Sequence, residues 1–105
     1  MKLWVDDVRE APQGYTWCQT VNQAKQQIEY YETLDSALAQ YIGTIDLIDI
    51  DHDAGDFAQD GGDYIKLLDW LEETGRSYPI HIHSMTPVGI ENMRRIIRRN
   101  GWTEV

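Results

Sequence analysis

One cysteine, one phenylalanine and three prolines stand among 105 residues. Cys18 alone cannot close an intramolecular disulfide, so a reducing compartment is expected. No apolar run approaches the ~18 residues of a membrane-spanning helix. The opening MKLWVDDVRE has acids where a signal peptide needs its apolar stretch. A cytoplasmic location without a membrane partner follows as an expectation. Hydrophobic residues make up 42% and charged ones 26%, which excludes a disordered tail or a collagen-like repeat. The length suits one domain, residues 1–105, with no internal repeat or linker. Basic residues are scarce, 9 against 18 acids, for a net charge of −9. A double-stranded DNA binder that neutralises phosphates with Lys and Arg is therefore excluded.

The charges are unevenly placed. Seven aspartates (46, 49, 51, 53, 56, 60, 63) occur between Asp46 and Asp63 without one Lys or Arg, and four of the nine bases crowd into Arg94, Arg95, Arg98 and Arg99. Around this acidic centre the chain alternates between two periodicities. LWV predicts a buried strand over residues 2–6, VREAPQGY a loop, and TWCQ a second strand. Thr20 with Gln23 forms a capping-box start. Val21, Ala24, Ile28 and Tyr31 then predict a helix, and Leu34, Leu38 and Tyr41 or Ile42 continue the stripe as one long helix or two. IDLIDID reads as a parallel strand in which Asp49 is awkward, needing either a hydrogen bond or an exposed face. DHDAGDFAQDGG is a loop, Tyr64 to Leu71 a helix ending near Gly75, and YPIHIHS a strand. Thr86 and Pro87 open a final helix through Ile97 that Asn100 and Gly101 stop, and WTEV is a candidate last strand. Repeated strand–helix crossovers imply an α/β fold: a three-layer parallel sheet of 4–5 strands with helices on both faces.

In such sheets ligands bind at the carboxyl ends of the strands. Asp6 and Asp7 leave the first strand, Asp51, His52 and Asp53 the third, and His81, His83 and Ser84 the fourth, with Thr86 beyond. An Asp-Asp pair after one strand can be a mere solvated loop. Four like charges converging from two strand ends, however, need a cation or shared protons. Asp6, Asp7, Asp51 and Asp53 are thus candidate ligands for a divalent ion, Mg²⁺ or Mn²⁺ first, with imidazoles shifting preference toward Mn²⁺, Zn²⁺ or Fe²⁺. His81 and His83 share one strand face about 7 Å apart. They are either core histidines bonded to backbone or an acid–base pair, with His52 as a further candidate. Arg9 either binds a phosphate bidentately or neutralises the acids it follows. Cys18 and the tryptophans Trp4, Trp17, Trp70 and Trp102 read as core, and the RRIIRR arginines as a solvated helix face or an anion-steering patch.

Three stretches together resemble the cyclic-phosphate processing receiver-like domains: LWVDDVREAPQGYTWCQTVNQA, IDIDHDAGD followed by GGDYIKLLDWL, and IHIHSMTPVGIENMRRII. The resemblance implies a receiver-like, flavodoxin-type fold whose first helix is reduced to a loop, and a role on cyclic phosphates of nucleotides or RNA ends. It implies that Asp6, Asp7 and Arg9 match a DDxR start, that Asp51, His52 and Asp53 match a DHD turn, and that His81, His83 and Ser84 match an HxHS strand end. Pro87, Gly89, Asn92 and Met93 match the opening of the last helix. Arg9, Ser84, Thr86 and Asn92 are then the implied ligand-binding residues, although Thr86 replaces the family's usual Asn. Asp51 takes the place of a receiver's phospho-accepting aspartate. The lysine that completes receiver signalling is missing, since no Lys follows Lys66. Two functions follow as expectations. One is metal-assisted hydrolysis of a small cyclic-phosphate ligand or RNA end. The other is a divergent receiver-like module that binds a phosphorylated ligand without turnover, or that keeps the fold for interaction alone.

Overall fold

The computed structural model describes residues 1–34 and 44–105. Four short runs of β-branched and aromatic residues form strands: β1 (Lys2–Val5), β2 (Tyr15–Cys18), β3 (Leu47–Ile50) and β4 (Ile80–Ile82). Three stretches of 3.6-residue periodicity form the helices α1 (Val21–Thr33), α2 (Ile65–Glu73) and α3 (Pro87–Asn100), and a 3₁₀ turn spans Gly55–Gln59. The strands are all parallel, in the order β2-β1-β3-β4, giving the expected receiver-like, flavodoxin-type α/β fold. The predicted last strand contributes a single parallel bridge, Glu104 to Ile80. Thr20 caps α1 as expected, accepting from the Gln23 amide at 3.0 Å, while the Gln23 side chain returns to the Gln19 amide at 2.8 Å. Gly101 ends α3 in the left-handed region at φ 68°, a conformation glycine adopts without penalty. The continuation of the α1 stripe to Leu38 and Tyr41 or Ile42 lies outside the described residues.

Side-chain alternation decides where the core sits. Leu3, Val5, Cys18, Ile48, Ile50 and Ile80 all point to one face. They join Val21, Ala24 and Ile28 of α1, Leu67, Leu68 and Leu71 of α2, and Met93, Ile96 and Ile97 of α3 in one hydrophobic cluster. Helices were expected on both faces; among the described residues the three helices share this one. The opposite face bears Lys2, Trp4, Trp17, Asp49 and His81. What folds back over it is the segment after β1, where the Trp4 indole donates to the Arg9 carbonyl at 2.8 Å. With Pro12 and Gly14 in its short span, that segment cannot sustain the helix a second layer would need. Trp17 departs from the expected core position and is 37% exposed, its indole donating to the Asp6 carbonyl at 2.7 Å.

Candidate metal and phosphate site

Register brings the site together. Val5 pairs with Ile50 and Ile50 with Ile82. The ladder runs one residue further, through the Asp51 amide to the Val5 carbonyl (2.9 Å) and the His83 amide to the Ile50 carbonyl (3.0 Å). Asp6, Asp51 and His83 are therefore lateral neighbours on the helix-free face at the carboxyl edge. One ligand atom from each lies within 4.8 Å of the others. One rung back in the strands, Trp4, Asp49 and His81 form a matching row.

His83 is held on every side. Its Nδ1 meets Asp49 Oδ1 at 2.6 Å and its Nε2 meets Asp6 Oδ2 at 2.9 Å. Asp49, awkward in the sequence, is thus hydrogen-bonded and buried. Asp6 is fully buried, and its second oxygen accepts from the amides of Val8 (3.0 Å) and Arg9 (2.8 Å). Burial alone would raise the Asp6 pKa, but these two amides and the His83 ring outweigh it and hold the carboxyl below its ordinary value. Asp7 is the opposite case. Burial, then the nearby charges of Asp6 and Asp51, push its carboxyl above the ordinary value despite backbone hydrogen bonds that work against them. Asp7 packs against the 3₁₀ turn, so that a Cβ on Gly55 would stand 2.5 Å from its Oδ2.

The remaining candidates divide. Asp51 accepts from the His52 amide at 2.7 Å, and His52 Nδ1 meets the exposed Asp53 at 2.8 Å. Asp53 and Asp7 stand outside the three-residue cluster. His81 shares a strand face with His83 as expected, but its Nδ1 bonds the Val105 carbonyl at 2.7 Å, away from the carboxylates. Arg9 reaches the site, its Nη1 donating to the His83 carbonyl at 3.3 Å. Ser84 Oγ accepts from the Thr86 amide at 3.1 Å, which leaves the Ser84 hydroxyl proton free to donate. Thr86 holds the N-cap position of α3 without a side-chain capping bond. Asn92 faces along the helix, accepting from Arg95 at 3.4 Å. The other arginines of α3 pair with Glu104, Glu91 and Glu72, so their charge is spent locally rather than on steering an anion. Trp4 is the residue the sequence reading missed. Its ring stacks on His83 with centroids 3.9 Å apart and planes 2° from parallel. The pleat was the available signal, since Trp4 must share a face with Asp6 and, across β3, with Asp49 and Asp51.

The donor set suits a divalent ion. Two ligands at right angles, each ~2.1 Å from an ion, lie about 3 Å apart, which is the observed Asp6 to His83 separation of 2.9 Å. Asp49 on the far nitrogen supplies the carboxylate–histidine pairing that orients metal-bound imidazoles. Two carboxylates and one imidazole favour Mn²⁺, Fe²⁺ or Zn²⁺ over Mg²⁺. Among known proteins, a family model described as the cyclic-phosphate processing receiver domain matches residues 1–99. No curated protein and no solved structure gave a match.

Proposed function

Because the chain belongs to the cyclic-phosphate processing receiver domain family, we propose that it is a metal-dependent phosphodiesterase that opens a cyclic phosphate of a nucleotide or RNA end. The observation that carries this reading is the Asp6, Asp51 and His83 cluster, backed by Asp49. These three residues would hold the ion, with Asp7 adding negative charge beside them. A divalent ion there would polarise a phosphoryl oxygen and lower the pKa of a water. With both nitrogens of His83 facing carboxylates, the acid–base role falls to His52, whose Nδ1 is oriented by Asp53. Arg9 and the Ser84 hydroxyl supply donors for the phosphate oxygens. Water adds to phosphorus, one of the two ring P–O ester bonds breaks, and the departing alkoxide takes the proton, leaving a phosphomonoester and a free hydroxyl. His52 relays that proton.

The test is a panel of 2′,3′- and 3′,5′-cyclic phosphates with Mn²⁺, Mg²⁺ or Zn²⁺, followed by phosphorus NMR. Turnover should occur with at least one pair and should fall about 10²- to 10⁴-fold in His52→Ala. Binding of these compounds without turnover under every metal would replace the enzyme with a binding module.

A further inference from the structure

We propose that Trp4 is a positioning residue for His83: its indole fixes the plane of the imidazole so that Nε2 stays aimed at Asp6 and Asp51. The contacts form a closed circuit. The Trp4 ring lies flat on His83 at 3.9 Å. Its Nε1–H donates to the Arg9 carbonyl at 2.8 Å, and the Arg9 amide donates to Asp6 Oδ1 at 2.8 Å. Asp6 Oδ2 meets His83 Nε2 at 2.9 Å, and the Arg9 guanidinium returns to the His83 carbonyl at 3.3 Å. Tyr15 meets the indole edge-on, with centroids 5.8 Å apart. The two hydrogen bonds hold the imidazole only at its edge, through Nδ1 and Nε2, and leave its flat face to be packed against the χ1 and χ2 swings that would carry Nε2 off Asp6. A coplanar aromatic surface blocks those swings. It comes from β1, where Trp4 stands on the helix-free face beside Asp49, the carboxylate that holds the other imidazole nitrogen. Trp4 has no polar atom directed at a substrate or an ion; it acts only through His83 and Arg9.

The geometry stands apart from the metal reading, on which only its consequence for affinity rests. Two readouts separate them. In metal-free protein, proton NMR should show the His83 ring protons shifted upfield by the stacked indole, and ring N–H resonances protected by the carboxylate contacts. Trp4→Phe, which keeps a flat ring, should retain the protected resonances. Trp4→Leu should lose them, and Trp17→Phe, which removes an indole hydrogen bond to Asp6 without touching His83, should leave them intact. In a Mn²⁺ titration followed by calorimetry, Trp4→Leu should weaken binding about 10- to 100-fold, the usual effect of removing a residue that orients a ligand, and Trp4→Phe should stay close to the parent. Protected resonances and parental Mn²⁺ affinity in Trp4→Leu would overturn the proposal. So would wild-type His83 ring protons without the upfield shift, a result that needs no variant to fold. Loss of the resonances in Trp4→Leu alongside a parent that binds no Mn²⁺ would uphold the positioning role and refute the metal site.

Discussion

Gly89 stands at the third position of α3, buried, where an ideal Cβ would lie 2.4 Å from Cγ and Cδ2 of His52. In an open helix, replacing glycine by alanine stabilises by up to about 1 kcal/mol. Here the imidazole has to move by about an ångström, and overpacking of this kind costs ~1–3 kcal/mol. Gly89→Ala should therefore be neutral to destabilising by about 2 kcal/mol, the latter roughly 9 °C in melting temperature for a domain of this size. The assay is a double-mutant cycle by thermal and urea unfolding of Gly89→Ala, His52→Ala and the double variant. With the ring gone, the added methyl meets no obstacle and should raise the melting temperature, so the sign reverses between backgrounds with a coupling of about 1–3 kcal/mol. An equal stabilisation in both backgrounds would show that His52 does not lie on the helix. The packing of the DHD turn against α3, and with it the placement of the proposed acid–base residue, would then be refuted.

Asp6→Asn keeps an oxygen for the Val8 and Arg9 amides but loses the charged bond to His83, and should cost roughly 1.5–3 kcal/mol at pH 7. Because the Asp6 carboxyl sits below its ordinary value, its contribution is present above that ordinary value and is lost as pH falls through the folded one; parent and variant should converge in acid, as read by urea midpoints. Asp7 is raised by burial and by Asp6 and Asp51, so its ionised form opposes folding. Asp7→Asn should raise the melting temperature of metal-free protein at pH 7, with the advantage shrinking as pH falls below the folded value. An unchanged difference across pH would show that Asp7 feels no such repulsion. Mn²⁺ at 100 times its dissociation constant should stabilise the parent by about 2.7 kcal/mol, and Asp51→Asn should abolish most of that gain. The Cys18 thiol is buried and pushed up to about 12, so a disulfide reagent should modify it only at the rate of unfolding; rapid labelling of native protein would place Cys18 at the surface.

Much of the scaffold could be read from local chemistry. Thr20 with Gln23, Pro87 at the start of α3 and Gly101 at its end are signals spelled by adjacent residues, and the helices begin and stop where those signals say. The parallel sheet follows from crossover spacing, and the convergence of Asp6, Asp51 and His83 in one candidate site from their placement after strands. Strand ends were read one or two residues too long, as with residues 78–84 against the observed Ile80–Ile82, because the flanking residues continue the same alternation, and the His83 amide still donates to the Ile50 carbonyl. The segment between β1 and β2 is the loop that VREAPQGY predicts, but its hydrogen bonds to Trp4 and Asp6 depend on tertiary neighbours and could not be read locally.

What the one-dimensional order of residues determined by itself was the set of faces: a pleat of period two puts Trp4 with Asp6, Asp49 with Asp51, and His81 with His83, whatever the register. Which members of those pairs meet was decided only in three dimensions. A register matching Val5 with Ile50 and Ile82 sets Asp6, Asp51 and His83 side by side and leaves His81 one rung back, bonded to Val105. Register is set by pairing energies summed over residues more than forty positions apart in the chain, from β1 to β3, and no local motif carries that information.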